Sequence, residues 1–139
     1  MKLSSYLSYF GCFLLCGLFP FIVHGQINIT FPTSRIVFQR DHLGNGTIYI
    51  TGHYSQNIDR VEARLVPMTS GQGEQTDWRL VQQNPQGGFY SGNITARGGW
   101  YELQVRGIAN NITISTAELQ RVGIGEVFLV AGQSNAQGF

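Results

Sequence analysis

Lysine is all but missing: Lys2 is the single lysine in 139 residues. Charged residues of all kinds make up only 12% of the chain, and the formal net charge is +1. A surface so lean in charge, with no basic run, gives no electrostatic footing for nucleic acid or an anionic membrane. Cysteine is nearly absent too, and both copies, Cys12 and Cys16, lie close to the start. No disulfide is therefore available to the rest of the chain, which must hold itself by core burial. No zinc-type spacing, phosphate loop or calcium loop occurs, so no metal and no cofactor is expected. Proline is scarce at 4, whereas glycine is plentiful at 18, a balance that suits many tight turns.

What is present falls into three parts. Residues 1–25 begin with Lys2, run almost wholly apolar from Tyr6 to Val23, and end on Val23-His24-Gly25. A charged start, an apolar run and small residues at −3 and −1 read as a secretory signal peptide cleaved near Gly25. An uncleaved anchor is the alternative, since the run approaches spanning length. Lipidation at Cys12 or Cys16 is a third, against which the apolar run continues past both. Signal cleavage predicts a secreted or periplasmic protein with no stable membrane insertion.

Residues 26–121 alternate apolar and polar in short runs bounded by turn residues. "INITF", "RIVFQ", "TIYITGHY", "IDRVEARLVP", "WRLVQQ", "GFYSGNI", "GWYELQVRG" and "NITISTAEL" each read as a strand, with a helix conceivable over "IDRVEARLVP" but closed by Pro67 and disfavoured by the flanking strands. Asn45-Gly46 is a hairpin signal because both residues accept positive φ. Several short strands at roughly ten-residue spacing, with no helical period between them, predict a mostly β fold, an antiparallel β-sandwich of the immunoglobulin or fibronectin kind. Phe31, Phe38, Trp78, Phe89, Trp100 and Tyr101 are candidate core aromatics. Tyr90, Trp100 and Tyr101 are also the residues that would stack on sugars if the sandwich binds carbohydrate. His42 and His53 read as surface residues. Asn-x-Thr sequons stand at Asn28, Asn45, Asn93 and Asn111, where the alternation of a strand accounts for most of the pattern.

Residues 122–139 change character. Val127 to Ala131 is a continuous apolar run, the mark of a strand buried on both faces in a parallel α/β sheet. Gly132-Gln133-Ser134-Asn135 follows. A serine just beyond such a strand, at a helix start, sits where open α/β sheets place their ligands, with backbone N–H groups able to meet an oxyanion. The G-x-S-x-G elbow is missed, because Ala136 stands at the last glycine. From spacing alone Ser134 reads first as an ordinary N-cap.

"GEVFLVAGQSNAQGF" resembles the first block of the SGNH hydrolase superfamily, in the branch containing sialate O-acetylesterases. That branch has a hydrophobic strand running into G-Q-S-N-M, and Gly125-Glu126-Val127-Phe128 is similar to its usual opening. The likeness spans about fifteen of the 139 residues. It implies Ser134 as nucleophile, with its own N–H as one oxyanion donor and Gly132, Gln133 and Asn135 as the supporting motif. The remaining donors and a histidine base would come from later blocks. The expectation is therefore the N-terminal part of an exported carbohydrate acetyl esterase, with an acetylated carbohydrate as partner: signal, accessory sandwich, and the first strand of a truncated α/β domain that is inactive by itself. The alternative is a non-catalytic β-sandwich that binds carbohydrate or acts as a spacer.

Overall fold

The computed structural model describes residues 26–130. The proposed signal segment and the Gly132–Asn135 motif lie outside the described residues. Eight strands occur: β1 (Ile27–Phe31), β2 (Val37–Gln39), β3 (Asn45–Tyr54), β4 (Arg60–Pro67), β5 (Arg79–Gln83), β6 (Phe89–Arg97), β7 (Gly99–Ala109) and β8 (Ile112–Gly125). They form two sheets, ordered β1-β3-β6 and β2-β8-β7-β4-β5. Every pairing is antiparallel except β2 with β8. The mostly β, antiparallel sandwich expected from the alternation is what forms. Its order is immunoglobulin-like, with the fifth strand paired on β4 rather than on β6.

The core follows from period two. Ile48 and Ile50 of β3, Val61, Ala63 and Leu65 of β4, and Leu103 and Val105 of β7 all point inward and are buried. Each such side chain stabilises the fold by about 1.5–3 kcal/mol relative to exposure. The same alternation corrects the expected aromatic core. Tyr101 is buried, so its neighbour Trp100 faces out; Tyr90 is buried, so Phe89 faces out. Phe31 is likewise exposed, while Phe38 and Trp78 are half-buried. Two tyrosines thus hold the interior. The Tyr90 hydroxyl donates to the Asn28 carbonyl at 2.7 Å. The Tyr101 hydroxyl donates to the Arg97 carbonyl at 2.5 Å and accepts from the Glu74 N–H at 3.3 Å. This is the tyrosine corner of immunoglobulin-like sandwiches, tying β7 to the chain just before it. Burial pushes both phenols above the ordinary tyrosine range.

Asn45-Gly46 is not a hairpin turn. Both residues are already in β3, paired with Arg97 and Ala96. The turn lies earlier, where Asp41 Oδ1 accepts from the N–H groups of Leu43 and Asn45, each at 2.9 Å, and Gly44 takes φ +84°. Gly46 serves close approach instead: a side chain there would strike Ile124 and the Gln39 backbone. The chain crosses between sheets at this point, because β2 pairs with β8 and β3 with β1 and β6. The tight hairpin is at Asn110-Asn111, both at positive φ, joining β7 to β8.

The sandwich also runs past residue 121. β8 extends to Gly125, with Val122 and Ile124 buried in the core. Between Leu119 and Val122 the register slips, and Arg121 sits at φ +62°. One residue of β7, Glu102, opposes two of β8, Gln120 and Arg121. This bulge moves the apolar phase from Ala117 and Leu119 to Val122 and Ile124, and turns Gly123–Gly125 onto β2.

Candidate functional site

The described end of the chain is held where it leaves β8. Arg40 Nε donates to Glu126 Oε1 at 2.7 Å, and Gln39 Nε2 donates to Glu126 Oε2 at 2.8 Å. The Val127 N–H donates back to Gln39 Oε1 at 2.7 Å, and the Arg40 N–H donates to the Gly125 carbonyl at 2.9 Å. Hydrogen bonds from Arg40 and then Gln39 hold the Glu126 carboxyl below the usual range. These partners lie 85 to 88 residues apart in sequence, so local reading could not pair them.

Beyond this clamp the apolar run stands in solvent. Val127, Phe128, Leu129 and Val130 are 55%, 81%, 93% and 76% exposed and belong to no strand. Gly132, Gln133, Ser134 and Asn135 lie outside the described residues. His42 lies exposed in the turn before β3, and His53 lies exposed near the end of β3 with its ring 4.3 Å from that of Phe89. Of the three aromatics considered for sugar stacking, Tyr90 and Tyr101 are buried in the core, and only Trp100 reaches the surface.

Beside the clamp lies an open cleft of about 590 Å³. Gly73, Gly98, Gly99, Gly123 and Gly125 form much of its lining, with Trp100 at one side. The Arg40–Glu126 pair and an Arg97–Glu74 pair at 3.1 Å stand around it. None of its lining residues is histidine, serine or cysteine. The cleft can receive a chain or ligand, and its two carboxylates, Glu74 and Glu126, are each paired with an arginine.

The outer face of the five-stranded sheet is charged and internally satisfied. Glu62 accepts from Arg60 at 2.8 Å and from Arg106 at 2.6 Å. Burial alone would raise its pKa, but those bonds outweigh it and hold the carboxyl low. The guanidinium groups of Arg64 and Arg106 lie 4.7 and 4.1 Å from the Trp78 ring centroid. These contacts stiffen the sheet and leave no proton donor or acceptor poised for transfer. Among the described residues, no group of histidine, cysteine, aspartate and glutamate could hold a metal ion, and no helix is long and apolar enough to cross a membrane.

No family model matches the chain, and no curated protein matches it.

Proposed function

We propose that Glu126 onward opens the catalytic domain of an exported carbohydrate O-acetylesterase of SGNH type, with Ser134 as its nucleophile. One observation carries the reading. Four consecutive apolar side chains, Val127 to Val130, leave the sandwich 55–93% exposed, one residue before Gly-Gln-Ser-Asn. Exposed apolar runs of this kind need a sheet to enter. A buried parallel strand ending at Ser134 satisfies that need and aims the serine at the carboxyl edge of the sheet.

The chemistry is acyl transfer. Ser134 Oγ attacks the acetyl carbonyl while a histidine from a later block takes its proton. The Ser134 N–H meets the oxyanion, the sugar hydroxyl leaves with that proton, and water releases acetate. The sandwich acts as an accessory domain, and Gln39, Arg40 and Glu126 set the direction in which the catalytic strand departs.

The test is acetate release from an acetylated sugar by a chain that continues through a histidine-bearing block, run beside a thermal melt. Ser134→Ala lowers turnover on the order of a thousandfold or more, with the melt unchanged. Turnover kept at the parent level, with stability reduced by about 1 kcal/mol, would make Ser134 a helix cap and overturn the reading.

A further inference from the structure

The two outer faces of the sandwich differ in kind. The five-stranded face carries arginines and glutamates in ion pairs. The three-stranded face bears one guanidinium, Arg97 at the far end of β6, where it pairs with Glu74 at 3.1 Å. From Phe89 to Thr95 of β6, and across β1 and β3, the outward residues are Asn28, Thr30, Thr47, Tyr49, Thr51, His53, Phe89, Ser91, Asn93 and Thr95, without a carboxylate or guanidinium among them. Tyr49 and Phe89 are nonetheless 58% and 60% exposed.

This face is held in shape by its own contacts. The Thr47 and Thr95 hydroxyls pair at 2.8 Å, and those of Thr30 and Thr51 at 3.1 Å. Phe89 leans on His53 at 4.3 Å between centroids. Tyr49 is braced from the side by Phe38 at 6.4 Å, which meets Phe31 at 6.0 Å. Two aromatic stations therefore stand along β3, four residues apart, or about 13 Å at strand rise. At the Phe89 station, Thr30, Thr51, His53, Ser91, Gln82 and Gln86 line a shallow depression of about 440 Å³.

We propose that this face binds an uncharged carbohydrate chain. Rings held at fixed tilt offer apolar faces to the C–H faces of sugar rings, at little entropic cost. Fixed hydroxyls and amides beside the rings supply donors and acceptors for sugar hydroxyls. With Arg97 and Arg79 confined to the Thr95 end, the uncharged stretch between Tyr49 and Phe89 fits a neutral polyol and disfavours acidic polysaccharide, nucleic acid or an anionic membrane. The site differs from the aromatics considered from sequence: it uses Tyr49 and Phe89, not Tyr90, Trp100 or Tyr101. It does not rest on the esterase reading, because Ser134 takes no part.

The experiment is affinity electrophoresis of the full chain in gels containing xylan, mannan or β-glucan, with polygalacturonate as the charged comparison. At least one neutral polymer retards the chain, and polygalacturonate does not. Tyr49→Ala and Phe89→Ala each weaken retardation about tenfold or more. Ile112→Ala, exposed but off this face, leaves it unchanged, and circular dichroism melts of all three variants match the parent. The proposal is overturned if no neutral polymer retards the chain, or if Tyr49→Ala and Phe89→Ala leave retardation intact. It is also overturned if those variants change only the oligomeric state in size-exclusion chromatography, which would assign the face to a second copy of the chain.

Discussion

Tyr101 shows how much a single residue decides. Its ring fills the core and its hydroxyl serves two backbone groups, the Arg97 carbonyl and the Glu74 N–H. Tyr101→Phe keeps the ring and strands both partners. Leaving buried backbone groups unpaired costs about 1–3 kcal/mol, and urea unfolding should show that loss. Tyr49→Phe on the exposed face should stay within about 0.5 kcal/mol of the parent. Equal stability of Tyr101→Phe and the parent would remove the corner from the account. The alternation Trp100, Tyr101, Glu102 made one aromatic of the pair legible as core in the sequence. It also implied that the other must face out, a consequence that hydrophobicity alone obscures. The glycines tell a similar story. Gly46 reads as a turn residue beside Asn45, yet it is needed because Ile124 and Gln39 crowd it from elements remote in sequence.

At the scale of the element, β8 carries the clearest lesson. Its apolar residues are out of phase, with Leu119 on one parity and Val122 and Ile124 on the other. A strict period of two ends the strand there, and the bulge at Arg121 is what lets it continue. Strands whose alternation is unbroken, such as β3 and β4, were readable for that reason. The hairpin at Asn110-Asn111 rests on two residues tolerant of positive φ, the second of which is also the first residue of a sequon. The extent of β8 makes a prediction. A chain ending after Gly125 should unfold cooperatively in urea. One ending after Arg121 loses Val122, Ile124 and the partner of β2. Two buried aliphatic side chains amount to about 3–6 kcal/mol, a large share of the roughly 5–15 kcal/mol that holds a domain together. Equal midpoints for the two would mean that β8 is dispensable beyond the bulge.

The whole molecule divides its labour by surface: a charged, self-satisfied face, a largely uncharged aromatic face, and an end where Gln39 and Arg40 grip Glu126 before an apolar run. Periodicity made the sandwich legible. It could not make the clamp or the aromatic face legible, because both are assembled from strands far apart in the chain. The Gly132–Asn135 motif was legible only as a short resemblance, and its chemistry depends on groups that no local pattern reaches. The central claim is that Ser134 is the nucleophile of an ester hydrolase. Covalent trapping tests it most directly. A chain continuing through a histidine-bearing block is treated with a fluorophosphonate until acetate release stops, then digested with trypsin. The account predicts one adduct, on Ser134, in the peptide that begins at Val122. Loss of activity with the adduct on a different residue, or with Ser134 unmodified, would contradict it.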